Sequence, residues 1–111
     1  MSGSDPLRLV LVGWGAIARR VGALLAERGA PVVLAGVAVR DGAVVREGLA
    51  PGTPVITDPG ALAGLRPGLV VECAGRESVV PWGRAALDCG ADLAICSTSA
   101  LTDDAILPDL L

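Results

Sequence analysis

The chain has 111 residues, 52% hydrophobic and 19% charged, with a formal net charge of −3. That length suits one domain, residues 1–111, and that apolar content excludes a disordered tail. No uncharged run exceeds the 11 residues of 29–39, against the roughly 18 needed to cross a bilayer, so no membrane partner is expected. No basic segment precedes an apolar N-terminal stretch, which points to a cytoplasmic location. The acidic balance and scattered arginines argue against nucleic acid as a partner.

All nine basic residues are arginine, and the chain has no His, Tyr or Lys. Arginine stays protonated near neutral pH and cannot act as a general base. The inventory therefore excludes a Ser-His-Asp triad, a histidine metal site, a Schiff-base lysine and a Tyr-Lys proton relay. Carboxylates and three cysteines remain, so the expectation is binding, with no catalytic and no metal-ligating residue in this segment. Cys73, Cys89 and Cys96 lack C-x-x-C spacing and read as small hydrophobes rather than as a disulfide framework.

In chain order, residues 7–12 (Leu-Arg-Leu-Val-Leu-Val) are nearly continuous apolar residues, the pattern of a strand buried on both faces. Residues 16–28 switch period, with Ile17, Val21, Leu24 and Leu25 on one face of a helix that Gly29 and Pro31 close. A second strand is predicted over 32–39, followed by an irregular Gly- and Pro-rich stretch from 42 to 54. Residues 55–57 form a short edge strand, and Asp58-Pro59 caps a helix over 60–65. A strand over 69–73, a helix over 77–89 with Pro81 in its first turn, and a strand over 93–96 follow. Thr102 caps a last helix over 103–110. Strands alternating with helices predict an α/β fold, a doubly wound parallel sheet of Rossmann type.

The run Gly13-Trp14-Gly15-Ala16-Ile17-Ala18 is a G-x-G-x-x-A dinucleotide fingerprint set between the first strand and the first helix. Gly13 permits the tight turn, Gly15 lets backbone approach a pyrophosphate, and Ala18 lets the helix pack close to the sheet. The amides of Ala16 and Ile17, at the positive end of the helix dipole, face the phosphates. Trp14 either shields those phosphates or packs on its surroundings. The second strand ends at Arg40 and Asp41, about 20 residues on, where an acid takes ribose hydroxyls of NAD and an arginine a 2′-phosphate of NADP. With both present, the spacing does not choose between NAD and NADP.

Ligands in such sheets lie outside the carboxyl ends of the strands. Cys73, Ala74 and Gly75 follow one such end, and are small enough for a ribose to lie against backbone. Ser97, Thr98 and Ser99 follow another, with hydroxyls and amides for a nicotinamide ribose or carboxamide. Glu72, in an apolar run, needs a partner and reads as structural or ribose-contacting rather than as a general base.

The segments Val70-Val71-Glu72-Cys73-Ala74 and Ser97-Thr98-Ser99-Ala100-Leu101-Thr102-Asp103, with the glycine loop, resemble the L-aspartate dehydrogenases over residues 7–111. The resemblance implies NAD(P)-dependent oxidation of L-aspartate to iminosuccinate, linked to NAD biosynthesis. It also implies a C-terminal domain that holds aspartate, carries a catalytic histidine and makes a homo-oligomer contact. This chain would then be the cofactor half, inactive alone, which agrees with its lack of histidine. Arg76 departs from the family in being bulky and charged beside the loop. Two readings stand beside this one. The first is a non-catalytic nucleotide-binding module. The second is the cofactor half of a homoserine dehydrogenase-like or dihydrodipicolinate reductase-like enzyme.

Overall fold

The computed structural model describes residues 5–29, 31–40 and 48–96. Five parallel strands run β1 (Leu7–Val12), β2 (Val32–Ala38), β3 (Val55–Ile56), β4 (Leu69–Glu72) and β5 (Asp92–Ile95), in the order β3-β2-β1-β4-β5. β1 lies between β2 and β4, and its last four residues are buried, which is why it reads as a continuous apolar run.

Helix α1 (Ala16–Glu27) connects β1 to β2 and covers one face. There Leu9, Leu11 and Ala18 form a core with Val21, Leu25 and Leu34. Helix α2 (Val79–Asp88) and a 3₁₀ segment at Pro59–Leu65 cover the other face. Val10, Val12, Val70, Leu62, Trp82 and Ala86 pack together there. Chain order reverses between β1 and β4, so the two halves of the sheet diverge at the carboxyl end of β1 and leave a crevice.

The structure moves several predicted boundaries. Residues 59–65 are 3₁₀ rather than α-helical. Asp58 caps them, its Oδ1 accepting from the Gly60 amide at 2.9 Å, and Arg66 at φ +51° ends the segment after Leu65, where the sequence predicts its end. The Arg8 guanidinium donates to the Leu65 carbonyl at 2.7 Å and ties that end to β1. The helix predicted over 77–89 divides into a 3₁₀ turn at Arg76–Ser78 and α2 from Val79. Pro81 is tolerated in the first turn of α2, where amides have no intrahelical acceptor. β5 begins one residue earlier than predicted, at Asp92. The predicted last helix, 103–110 with its cap Thr102, lies outside the described residues.

Candidate functional site

A cleft of about 720 Å³ opens at the switch point, lined by Gly13, Trp14, Gly15 and Arg19 on one side and by Cys73, Ala74, Glu77 and Ser78 on the other. Arg40 and Thr57, beyond β2 and β3, line it too.

Gly13 leaves β1 at φ +97°, its amide donating to the Ala38 carbonyl at 2.6 Å. A Cβ there would lie 2.9 Å from the Cα of Ala74, so glycine is required both by the turn and by the approach of the second loop. Gly15 is different. It is the N-cap of α1 in extended backbone, and a Cβ there would meet nothing within 4 Å.

Helix α1 has no side-chain cap and no acidic residue in its first turn. Its first hydrogen bond runs from the Arg19 amide to the Gly15 carbonyl at 3.0 Å, so the amides of Ala16, Ile17 and Ala18 have no intrahelical acceptor. An uncapped helix N-terminus beside an unobstructed glycine is the arrangement a pyrophosphate requires, and the cleft residues fit a dinucleotide on that ground. Ile17 is 57% exposed and neither Ala16 nor Ile17 lines the cleft, so only their backbone amides are on offer there. The Trp14 indole lies over Gly22 of α1, 3.4 Å from the point a Cβ there would occupy.

The second wall depends on Glu72. This carboxylate is fully buried, and its Oε2 accepts from the amides of Ala74 at 2.9 Å and Gly75 at 2.8 Å. The partner that its burial demands is therefore the backbone of the loop. Its Oε1 is also buried and has no hydrogen-bond partner among the described residues. Gly75, at φ +152°, passes the chain into the turn at Arg76–Ser78, which carries the bulky Arg76 side chain at an exposed position.

Cys73 is half-buried in the cleft wall, and its thiol is pushed up to about 12. Burial is the largest cause, followed by Cys96 beside it and by Glu72. Cys96, the residue after β5, is exposed, contrary to its reading as a buried hydrophobe. Cys89 donates its Sγ hydrogen to the Ala86 carbonyl at 3.3 Å.

Arg40, two residues beyond the end of β2, lines the cleft and approaches Glu77 to 3.8 Å. Asp41, Ser97, Thr98 and Ser99 lie outside the described residues. Sequence reading passed over Arg19, Thr57, Glu77, Ser78, Pro81 and Trp82, all of which line the cleft. The carboxyl-end rule that nominated residues 73–75 also applied to Thr57, which follows β3. Among the described residues there is no cluster of metal-ligating side chains, and no helix is long and apolar enough to cross a membrane.

Residues 13–111 match the family model described as homoserine dehydrogenase, NAD binding domain. An L-aspartate dehydrogenase of Brucella anthropi is 53% identical over 102 residues, covering 92% of this chain and 38% of the relative. L-aspartate dehydrogenase 1 of Bordetella pertussis is 39% identical over 108 residues, covering 97% of this chain and 40% of the relative. The chain thus spans about two fifths of the length of the curated relatives it matches. Homoserine dehydrogenase of S. aureus superposes with a TM-score of 0.72 at 18% identity, covering 95% of this chain and 30% of that one. At that identity the likeness is one of fold.

Proposed function

Because the chain belongs to the family of homoserine dehydrogenase NAD-binding domains, we propose that residues 1–111 form the cofactor-holding domain of an oxidoreductase acting on L-aspartate. In this reading L-aspartate would be oxidised by two electrons to iminosuccinate, with one proton released from its amine and bound NAD or NADP as the oxidant. The 53% identity to an L-aspartate dehydrogenase favours aspartate over homoserine, since the homoserine dehydrogenase likeness is 18% identical. The observation that carries the reading is the uncapped start of α1 beside the open position at Gly15, inside a cleft at the switch point.

This reading gives each of the chain's candidate residues a role. The amides of Ala16, Ile17 and Ala18 take the pyrophosphate charge, and Arg19 adds a cation beside them. Arg40 holds a 2′-phosphate when NADP is the cofactor, and Asp41, next in sequence, is assigned the ribose hydroxyls of NAD. Cys73, Ala74 and Gly75 form a floor of small groups under the nicotinamide ribose, and Ser97, Thr98 and Ser99 are assigned to its carboxamide side. Bound NAD or NADP supplies the hydride acceptor. The proton leaving the amine needs a base, and with no His, Tyr or Lys here, that base and the aspartate pocket come from a further domain. The free thiols of Cys73, Cys89 and Cys96 support a reducing, cytoplasmic setting.

The two tryptophans of the chain, Trp14 and Trp82, both line the cleft, which provides the test. Titrating NADH or NADPH should quench their emission and transfer energy to the reduced nicotinamide. Unchanged emission with both cofactors would overturn the reading. With aspartate and NAD, the chain alone should generate no reduced cofactor above the blank.

A further inference from the structure

Arg40 and Glu77 lie 3.8 Å apart although their elements are not neighbours in the sheet. Arg40 follows β2, Glu77 sits in the 3₁₀ turn beyond β4, and β1 runs between those strands. The pair therefore crosses the mouth of the cleft above the carboxyl end of β1, where Gly13 and Gly15 leave the sheet. Side-chain exposures of 89% and 84% mean that packing contributes little to the pairing, and the two opposite charges carry it. Glu77 also folds back over the loop, its Oε2 standing 3.8 Å from the point a Cβ on Gly75 would occupy.

We propose that Glu77 is a specificity residue for the cofactor: its carboxylate occupies the anion position beside Arg40 and competes there with a 2′-phosphate, biasing the site towards NAD over NADP. The proposal rests on the dinucleotide reading of the cleft. A 2′-phosphate carries close to two negative charges and must displace the Glu77 carboxylate to reach the Arg40 guanidinium fork. The neutral 2′-hydroxyl of NAD makes no such demand. The pyrophosphate is common to both cofactors, so contributions from Arg19 and the start of α1 cancel in the ratio of their affinities.

The test is the NADPH-to-NADH affinity ratio of the 111-residue chain, read by energy transfer from Trp14 and Trp82. It is measured for the parent, Glu77→Gln, Arg40→Ala and the double variant. Glu77→Gln keeps the size of the side chain and removes its charge. It should raise the ratio about two- to fivefold, the range of an exposed ion pair, and the gain should shrink as salt is added. In the Arg40→Ala background the same change should alter the ratio less than about twofold. An unchanged ratio in Glu77→Gln, or an equal gain with and without Arg40, would overturn the proposal. If Arg40→Ala leaves the parent ratio intact, the proposal falls while NADH binding keeps the dinucleotide reading standing. If the parent binds neither cofactor, both fall together.

Discussion

Two glycines in the loop that leaves β1 face opposite surroundings. A Cβ on Gly13 would press on the Ala74 backbone at 2.9 Å, and its φ of +97° is strained for any side chain. A Cβ on Gly15 would enter open space, and its φ of −90° suits any residue. One glycine is demanded by the protein itself, where two loops from neighbouring strands touch. Nothing within 4 Å demands the other, which under the proposed dinucleotide reading keeps space free for what approaches from outside. If the proposed function holds, the same motif has one structural position and one binding position, and substitution should separate them.

Gly13→Ala should give the largest effect. Left-handed backbone costs a non-glycine residue about 1–2 kcal/mol, and the forced contact with Ala74 adds about 1–3 kcal/mol. Urea denaturation should show a total loss of about 2–5 kcal/mol. A variant as stable as the parent would show that the two loops do not meet. Glu72 holds the other side of that contact. Glu72→Ala leaves the amides of Ala74 and Gly75 without their acceptor, at a cost of about 2–3 kcal/mol. Glu72→Gln keeps an acceptor oxygen for both amides and should lose about 1 kcal/mol or less. Equal losses in the two variants would mean that the charge of Glu72 matters and its hydrogen bonds do not.

Gly15→Val tests the binding half of the comparison. Stability should fall by less than about 1 kcal/mol, the scale of a poorer N-cap residue. NADH affinity should fall at least about tenfold, corresponding to about 1.4 kcal/mol, because the valine side chain fills the space open to the pyrophosphate. Calorimetry giving equal affinities for variant and parent would remove the phosphate cradle from α1.

These contrasts also show what could be read from the sequence. Gly13 and Gly15 were legible as glycines, and the strand before them and helix after them were legible from a change of hydrophobic period. Which of the two a neighbour requires depends on Ala74, 61 residues further along the chain, and no local pattern carries that information. Glu72 was visible as a charge in an apolar run needing a partner. Its partners are backbone amides two and three residues on, created only by the turn the loop makes. Trp82 and Pro81 reach the cleft because α2 packs over β4, so their helical pattern names them as core and first-turn residues. Thr57 was within reach of the rule that ligands gather at strand ends, but β3 is only two residues long. Spacing alone nominates Arg40, which lines the cleft, whereas Glu77, its ion-pair partner across the cleft, reads as the first residue of a helix until the sheet order is known.

The smallest expected effect lies at Cys73, which joins Glu72 to the Ala74 wall. In the unfolded chain a thiol ionises near 9.0, whereas in the fold burial, then Cys96 and Glu72, push Cys73 up to about 12. Between those values the unfolded state has released a proton that the folded state still holds. Any stability linked to this thiol is therefore fully present below pH 9 and declines as the pH rises towards 12. Cys73→Ala removes the titration, although the smaller side chain costs some packing at every pH. The informative quantity is thus the change in unfolding free energy between pH 8 and pH 10, not its value at either. That change should be smaller in Cys73→Ala than in the parent when both are measured by urea denaturation, with Cys89 and Cys96 present in each. Identical changes would show that Cys73 titrates as an ordinary exposed thiol, and that the wall Glu72 supports is open to solvent at that point.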